Sequence, residues 1–366
     1  MADKKINVAI IFGGKSTEHE VSLQSAKNVF EAIDKEKYNP ILIGIDKTGR
    51  WLLNNSSQSL LGVDNSNLIG FNESSDAIAL VPQSGGKISD LTGSNKDLSV
   101  DVAFPILHGP LGEDGTVQGL LKLANIPFVG SGVLGSAVGM DKDVMKRLLR
   151  DAGLPIGKFV ALKAGEPIPA HEEIKNKLGA IFFIKPANAG SSVGVSKAHN
   201  EAEYLTGVGS AFNYDVKVVL EEYIDGREIE CSVLGNDQPI ASIPGEVITK
   251  HEFYSYEAKY LDENGAILKI PAELSAETIK QIQDLAVKTF LALSAEGLGR
   301  VDFFLKESGE VIINEINTIP GFTKISMYPK LWEASGISYA ELIDRLIQLA
   351  IERFEKEQKI KTNYIE

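Results

Sequence analysis

Apolar positions follow two rhythms along this chain: short unbroken runs, and longer stretches in which they return every three or four residues. The first run, "INVAIIF" (Ile6–Phe12), predicts a buried strand ended by Gly13-Gly14. "SLQSAKNVFEAID" follows, with Leu23, Ala26, Val29, Phe30 and Ile33 on one helical face and Ser22 where an N-cap would stand. "ILIGI" (Ile41–Ile45), "DVAFPIL" and "IPFVG" read as further strands. Strand–helix–strand order predicts a parallel α/β layer whose working edge lies at the strand carboxyl ends. Residues 54–100, rich in Ser, Asn and Gly, read as a long excursion with little core of its own.

A second unit opens at "GMDKDVMKRLLRDAGLP", where Asp141 can cap a helix striped by Val144, Met145, Leu148 and Leu149, and Gly153 with Pro155 stops it. Strands "AIFFIKP" and "VGVSKA" then flank the small-residue turn "ANAGSS", and "KVVLEEYI" is another strand. A third region holds strands in "GREIECSVLG", "GRVDFFLK" and "EVIINEIN", with a long helix from Ser275 to Leu293 among them. An amphipathic helix from about Tyr339 to Lys356 packs through Leu342, Leu346, Leu349, Ala350 and Phe354. The expected domains are 1–140, 141–225 and 226–366, in keeping with a length of 366 residues.

Composition narrows the class of ligand. A net charge of −13 argues against a nucleic-acid surface, which needs a basic stripe. No stretch approaches the roughly 18 apolar residues of a membrane span. The amino end reads as a first strand rather than a signal peptide, because its apolar run ends in glycines and a lysine. Cys231 is the single cysteine, which excludes an internal disulfide and fits a reducing cytoplasm. Small ligands are expected.

"GGKST" (Gly13–Thr17) resembles the end of a P-loop, but that motif needs a glycine five positions before Gly14, where Ala9 stands. What survives is a glycine turn that sets Glu18, His19 and Glu20 at the sheet edge, where ligands usually sit; a solvated acidic turn would look the same. "KPANAGSSVGVS" carries Lys185 at the end of an apolar strand, then a tight turn rich in N–H and O–H donors, suited to triphosphate oxygens. Glu221, Glu222, Tyr223 and Ile224 follow a strand and could read an adenine edge, with Glu228 reaching a ribose; a charged edge strand would look the same. In "NEIN", Glu315 and Asn317 project from one strand face about 7 Å apart. Alone they fit either a water-facing strand or a cation site. With Arg300 and Asp302 of "GRVDFFL" they make a set of hard oxygen donors beside a guanidinium, which suits Mg²⁺ and a triphosphate. "HEFYSYEAKY" (His251–Tyr260) packs four aromatics among charges, as an ordered flap would. "PILHGPLGEDG" sets His108 at a strand's carboxyl end.

"FGGKSTEHEVS", "LHGPLGEDGTVQG", "GSGVLGSAVGMDK", "KPANAGSSVGVS", "EEYIDGREIE", "FYSYEAKY", "GRVDFF" and "NEINTIPGFT" occur in this order. Together they resemble the D-alanine–D-alanine ligase family of the ATP-grasp superfamily, over nearly the whole chain except residues 54–100. The resemblance implies an α/β ATP-grasp fold: an amino-terminal parallel α/β domain, then two α+β subdomains that clasp ATP. It implies ATP-dependent joining of two D-alanines for peptidoglycan precursors, in a cytoplasmic homodimer, with a sibling D-alanine–D-lactate or other D-dipeptide ligase as the alternative. Lys142, Lys185 and Lys259 would hold phosphates under the Ser191–Ser192 turn. Glu221, Glu222, Tyr223 and Ile224 would line the adenine pocket, and Glu228 would bind the ribose. Asp302, Glu315 and Asn317 would coordinate two Mg²⁺ ions, with Mn²⁺ as a substitute and a monovalent cation as an addition. Glu18 and His108 would receive the first D-alanine, and Glu18, Ser191 and Tyr260 would pin the flap. Arg300 and the Gly321 N–H would hold an oxyanion, while Ser326 and the Met327 backbone would hold the second carboxylate.

Overall fold

The computed structural model describes residues 4–54, 76–92, 98–249 and 266–361. The amino-terminal layer runs β1 (Ile6–Gly13), α1 (His19–Ala32), β2 (Tyr38–Ile45), β3 (Trp51–Asn54), β4 (Asp76–Leu80), β5 (Lys87–Asp90), β6 (Leu98–Ser99), β7 (Val102–Ile106), α2 (Thr116–Leu123) and α3 (Val133–Met140). Its sheet has the order β6-β5-β4-β3-β2-β1-β7, with β1 parallel to both β2 and β7. The apolar runs form these central strands because both faces are covered, leaving no polar side to alternate with. The described part of the Ser/Asn-rich stretch is not a free excursion. β4, β5 and β6 extend the sheet antiparallel, and Ile78 and Ile88 are buried in its core. "IPFVG" forms no strand and contributes one parallel bridge, Phe128 to Ala103.

The expected cap of α1 is also displaced. The helix begins at His19 after Glu18, so Ser22 lies inside it. Its hydroxyl is fully buried, donates to the Ile106 carbonyl and accepts from the Gly13 N–H at 2.8 Å. Ser22 therefore satisfies orphaned strand ends of β1 and β7 in place of a helix terminus.

The second unit comprises α4 (Lys142–Asp151), β8 (Phe159–Lys163), α5 (His171–Leu178), β9 (Phe182–Pro186), β10 (Ser196–Ala198), α6 (Glu201–Ala211) and β11 (Lys217–Glu222). Its antiparallel sheet has the order β10-β9-β11-β8. Asp141 caps α4 as expected, accepting from Val144 N at 3.0 Å. The buried face of α4 is rotated from the expected stripe: Met145 and Leu149 are buried with Asp143 and Lys146, while Leu148 faces solvent.

The third unit comprises β12 (Arg227–Gly235), β13 (Ile240–Ala241), β14 (Gly245–Thr249), β15 (Ala266–Lys269), α7 (Ala276–Ala292), β16 (Gly297–Leu305), β17 (Val311–Asn317), α8 (Met327–Ala334) and α9 (Tyr339–Gln358). The order is β15-β14-β12-β16-β17, with β13 on β12. Ser275 caps α7 through Thr278 N at 3.1 Å. α9 lays Leu342, Ile343, Leu346, Ile347 and Ala350 against Ile10, Phe12 and Phe104 of the first sheet. Each of the Leu and Ile side chains contributes about 1.5–3 kcal/mol on burial. Arg353 completes the seam, donating to Phe128 O at 2.8 Å and pairing with Glu296 at 3.1 Å. The chain's end is thereby packed onto its beginning, and a cleft of about 1200 Å³ lies where the three units meet.

Candidate active site

One wall of the cleft is the face shared by β12, β16 and β17. Glu230, Asp302 and Glu315 stand in register across these three strands, and Arg300 is opposite Asn317. The register shifts between Asp302 and Phe303, a bulge that re-aims the strand beside the acidic row. Carboxylates directly opposite one another repel, so this row needs cations. Arg300 supplies one, with Nε 2.7 Å from Asp302 Oδ1 and 2.9 Å from Glu230. Burial pulls its pKa down, but Asp302 and Glu230 outweigh burial and raise it well above the usual value. Lys142 supplies another, 3.6 Å from Glu315. Asn317 donates its amide to Asp302 at 3.0 Å, so the three expected metal ligands converge on one face.

The second wall carries lysines. Lys185, on β9, lies 2.8 Å from Glu221 on β11. Lys146, one helical turn beyond Lys142, lies 3.4 Å from the same carboxylate with its side chain 2% exposed. Burial pushes Glu221 up, but Lys146 and Lys185 outweigh it and bring its pKa down to about 2. Lys146 is lowered, burial being the largest cause, whereas Glu221 and Glu315 keep Lys185 raised against burial. Lys142 also donates to Ala189 O at 2.9 Å, which ties α4 to the turn after β9. Ser191 and Ser192 take φ of 50° and 59°, consecutive left-handed residues that fold this turn over the cleft. Further along, Glu222 accepts from Lys158 N at 2.8 Å, and Lys197 sits 4.4 Å from the Tyr223 ring. Glu222, Tyr223, Ile224 and Glu228 all border the cleft.

The third wall belongs to the amino-terminal layer. Glu18 is buried and accepts from the Ser191 hydroxyl, joining the first and second units. His108 Nδ1 meets Ile319 O at 3.0 Å; burial lowers its pKa although Glu18 pulls it the other way. Glu113 accepts from Gly109 N at 2.8 Å and from Ile319 N at 3.2 Å. Desolvation, then the negative charge of Glu18, push its carboxyl up to about 8. Gly321 lies against Ser326, where an added Cβ would sit 3.0 Å from the hydroxyl. Ser326 precedes Met327 at the start of α8, and its hydroxyl accepts from Thr323 N at 3.1 Å. Lys259, Tyr260 and the aromatic flap lie outside the described residues.

Two family models match the chain: D-ala D-ala ligase N-terminus over residues 7–131 and D-ala D-ala ligase C-terminus over residues 148–348. The chain belongs to the D-alanine–D-alanine ligase family. It is 54% identical over 363 residues to the D-alanine–D-alanine ligase of Oceanobacillus iheyensis, covering 98% of this chain and 99% of that one. It is 51% identical over 361 residues to D-alanine–D-alanine ligase A of Escherichia coli strain K12, again covering 98% and 99%. Among solved structures, the D-alanine–D-alanine ligase of Coxiella burnetii superposes with a TM-score of 0.87 at 40% identity, covering 97% of this chain and 96% of that one. A D-Ala:D-Ser ligase of Enterococcus faecalis gives 0.85 at 38% identity, covering 95% and 100%. These ligase structures share the ATP-grasp fold expected from the sequence.

The donor chemistry of this ligase suits Mg²⁺: two carboxylates and a carboxamide, all hard oxygen ligands, on one sheet face beside excess negative charge. Among the described residues no cluster of three or more His, Cys, Asp or Glu forms a chelating group. Asp302 is held by Arg300, whose Nη2 donates to its Oδ2 at 2.8 Å. Sequence reasoning passed over Lys146, Glu113 and Glu230. Lys146 and Glu230 were legible in principle, since one is four residues from Lys142 on a helix and the other two residues from Glu228 on a strand. Glu113 had no such signal; only the loop after β17, distant in sequence, gives it a partner.

Proposed function

We propose that this chain condenses two D-alanines to D-alanyl-D-alanine, cleaving ATP to ADP and phosphate through D-alanyl phosphate, for peptidoglycan precursors. The reading is supported above all by one juxtaposition: the Asp302–Glu315–Asn317 set and Arg300 share a cleft with Lys142, Lys185 and the Ser191 turn. A carboxylate resists amine attack because it is anionic and its oxygen leaves poorly; phosphorylation converts that oxygen into phosphate. Both partners in the first step are anions, so charge neutralisation is the task.

Lys142 and Lys185 hold the phosphates, with Lys259 reaching the γ-phosphate from the flap. Glu221, Glu222, Tyr223 and Ile224 border the adenine, and Glu228 the ribose. Mg²⁺ at Asp302, Glu315 and Asn317, two ions with Mn²⁺ as a substitute, would neutralise triphosphate oxygens. Glu18 and His108 orient the first D-alanine. The Ser191 turn, pinned to Glu18, would exclude water that hydrolyses the acyl phosphate, with Tyr260 assigned to the same set. Ser326 and the Met327 N–H hold the second carboxylate. Arg300 and the Gly321 N–H stabilise the tetrahedral oxyanion, one such donor being worth about 3–4 kcal/mol of barrier. We further propose a cytoplasmic homodimer. Among the described residues no helix is long and apolar enough to cross a membrane.

ADP release and product formation measured with D-alanine, L-alanine, D-serine and D-lactate in turn test the reading. Dipeptide from D-alanine alone is expected; ADP release that requires D-lactate or D-serine would assign a sibling activity.

A further inference from the structure

Ile319 is gripped at both ends of its peptide by residues far away in sequence. Its N–H donates to Glu113 Oε1 at 3.2 Å, and its carbonyl accepts from His108 Nδ1 at 3.0 Å, which therefore carries the proton. The second Glu113 oxygen accepts from Gly109 N at 2.8 Å. Gly109 has φ of 77°, and a Cβ there would fall 2.8 Å from Glu18 Oε2, so this loop passes directly behind Glu18. One carboxylate thus joins the loop between β7 and α2 to the loop that follows β17.

The other flank of that loop is equally fixed. Phe322 N donates to Ser25 Oγ at 3.4 Å, and its carbonyl accepts from Tyr339 OH at 2.6 Å. The Phe322 ring meets Phe104 edge-on, 5.9 Å between centroids. Pro320 and Gly321 are held between these two anchors, and both anchors are bonded to the amino-terminal layer.

We propose that Glu113 is a positioning residue for the ligation step: by holding Ile319 it aims the Gly321 N–H at the acyl oxygen of a substrate bound beside Glu18 and His108. The inference rests on the ligase reading above. It explains why the amino-terminal layer, to which no phosphate or metal ligand is assigned above, reaches across to the oxyanion loop with a carboxyl that takes two N–H groups. Loss of the grip leaves phosphorylation intact, because Lys142, Lys185 and the acidic row are held by other bonds. It slows amine attack, so acyl phosphate is lost to water.

The test is parallel measurement of ADP and dipeptide for wild type, Glu113→Gln and Glu113→Ala. Wild type is expected to release one ADP per dipeptide. Glu113→Ala is expected to lose at least about tenfold in kcat for dipeptide, as small misplacements of catalytic groups do. Its KM for ATP should stay within about twofold of wild type, and its ADP should exceed dipeptide. Glu113→Gln keeps one acceptor oxygen and should show the same uncoupling in weaker form above about pH 8, where the wild-type carboxyl is ionised and accepts both N–H groups; measured there, it carries the test if the alanine variant does not fold. An ADP-to-dipeptide ratio of one in a folded variant, or a rise in KM for ATP that accounts for the lost activity, overturns the assignment. Failure of wild type to make dipeptide would instead overturn the ligase reading, and this role with it.

Discussion

Asp302 and Glu315 face each other directly across β16 and β17, two carboxylates on one face of a sheet. Such a pair costs stability unless positive charge lies close, and Arg300 supplies it to Asp302 and Lys142 to Glu315. The arrangement is poor as structure and well suited to gathering cations, which is the physical ground for the site.

Glu315→Gln should therefore separate catalysis from folding. Turnover is expected to fall by about a hundredfold or more, while the thermal midpoint is unchanged or slightly raised because one repelling charge is gone. Kinetics across a Mg²⁺ titration check this. Near-wild-type turnover at saturating Mg²⁺ would rule out the Asp302–Glu315–Asn317 set as the metal site.

Lys146 is enclosed between Glu221 and the Asn314 carbonyl, 3.4 Å from each. Replacing it with methionine keeps the stem and leaves Glu221 with Lys185 as its close partner. The expected loss is about 3 kcal/mol, the low end for breaking a buried pair, together with a raised KM for ATP. Denaturant midpoints and ATP titrations read the two effects, and no change in either would show that Lys146 is only filler.

Two carboxyls give opposite pH dependences of stability. Glu113 is raised from 4.5 to about 8, so its contribution is full below about 4.5 and is lost as pH rises through 8. Glu221 is lowered from 4.5 to about 2, so its contribution is present above about 4.5 and is lost as pH falls through 2. Glu113→Gln, which mimics the neutral acid, should flatten the decline between pH 4.5 and 8 and leave the acid limb in place. Unfolding midpoints across that range decide the matter; an unchanged slope would mean the carboxyl is ionised throughout.

Ser22→Ala leaves Gly13 N and Ile106 O without their buried partner. A cost of about 1–3 kcal/mol is expected, seen as a lower melting temperature with KM for ATP unaffected. A neutral substitution would show that water replaces the hydroxyl.

The amino-acid order misread "IPFVG" as a strand and the stretch holding β4–β6 as an excursion. By itself it marked the central strands of the first and third sheets and the cap at Asp141, and it singled out residues suited to phosphate and metal chemistry. These properties are local: side-chain period, capping and residue type act over a few positions, and they are written wherever those positions are read. The partners of Ser22, Lys146 and Glu113 followed from no local rule. A serine expected at a helix start serves two strand ends, a lysine on α4 is buried against Glu221, and a loop glutamate grips a peptide 206 residues away. Their roles were decided only by tertiary structure, because a buried polar group must take whichever partner the fold brings within reach, and that partner can come from any part of the chain.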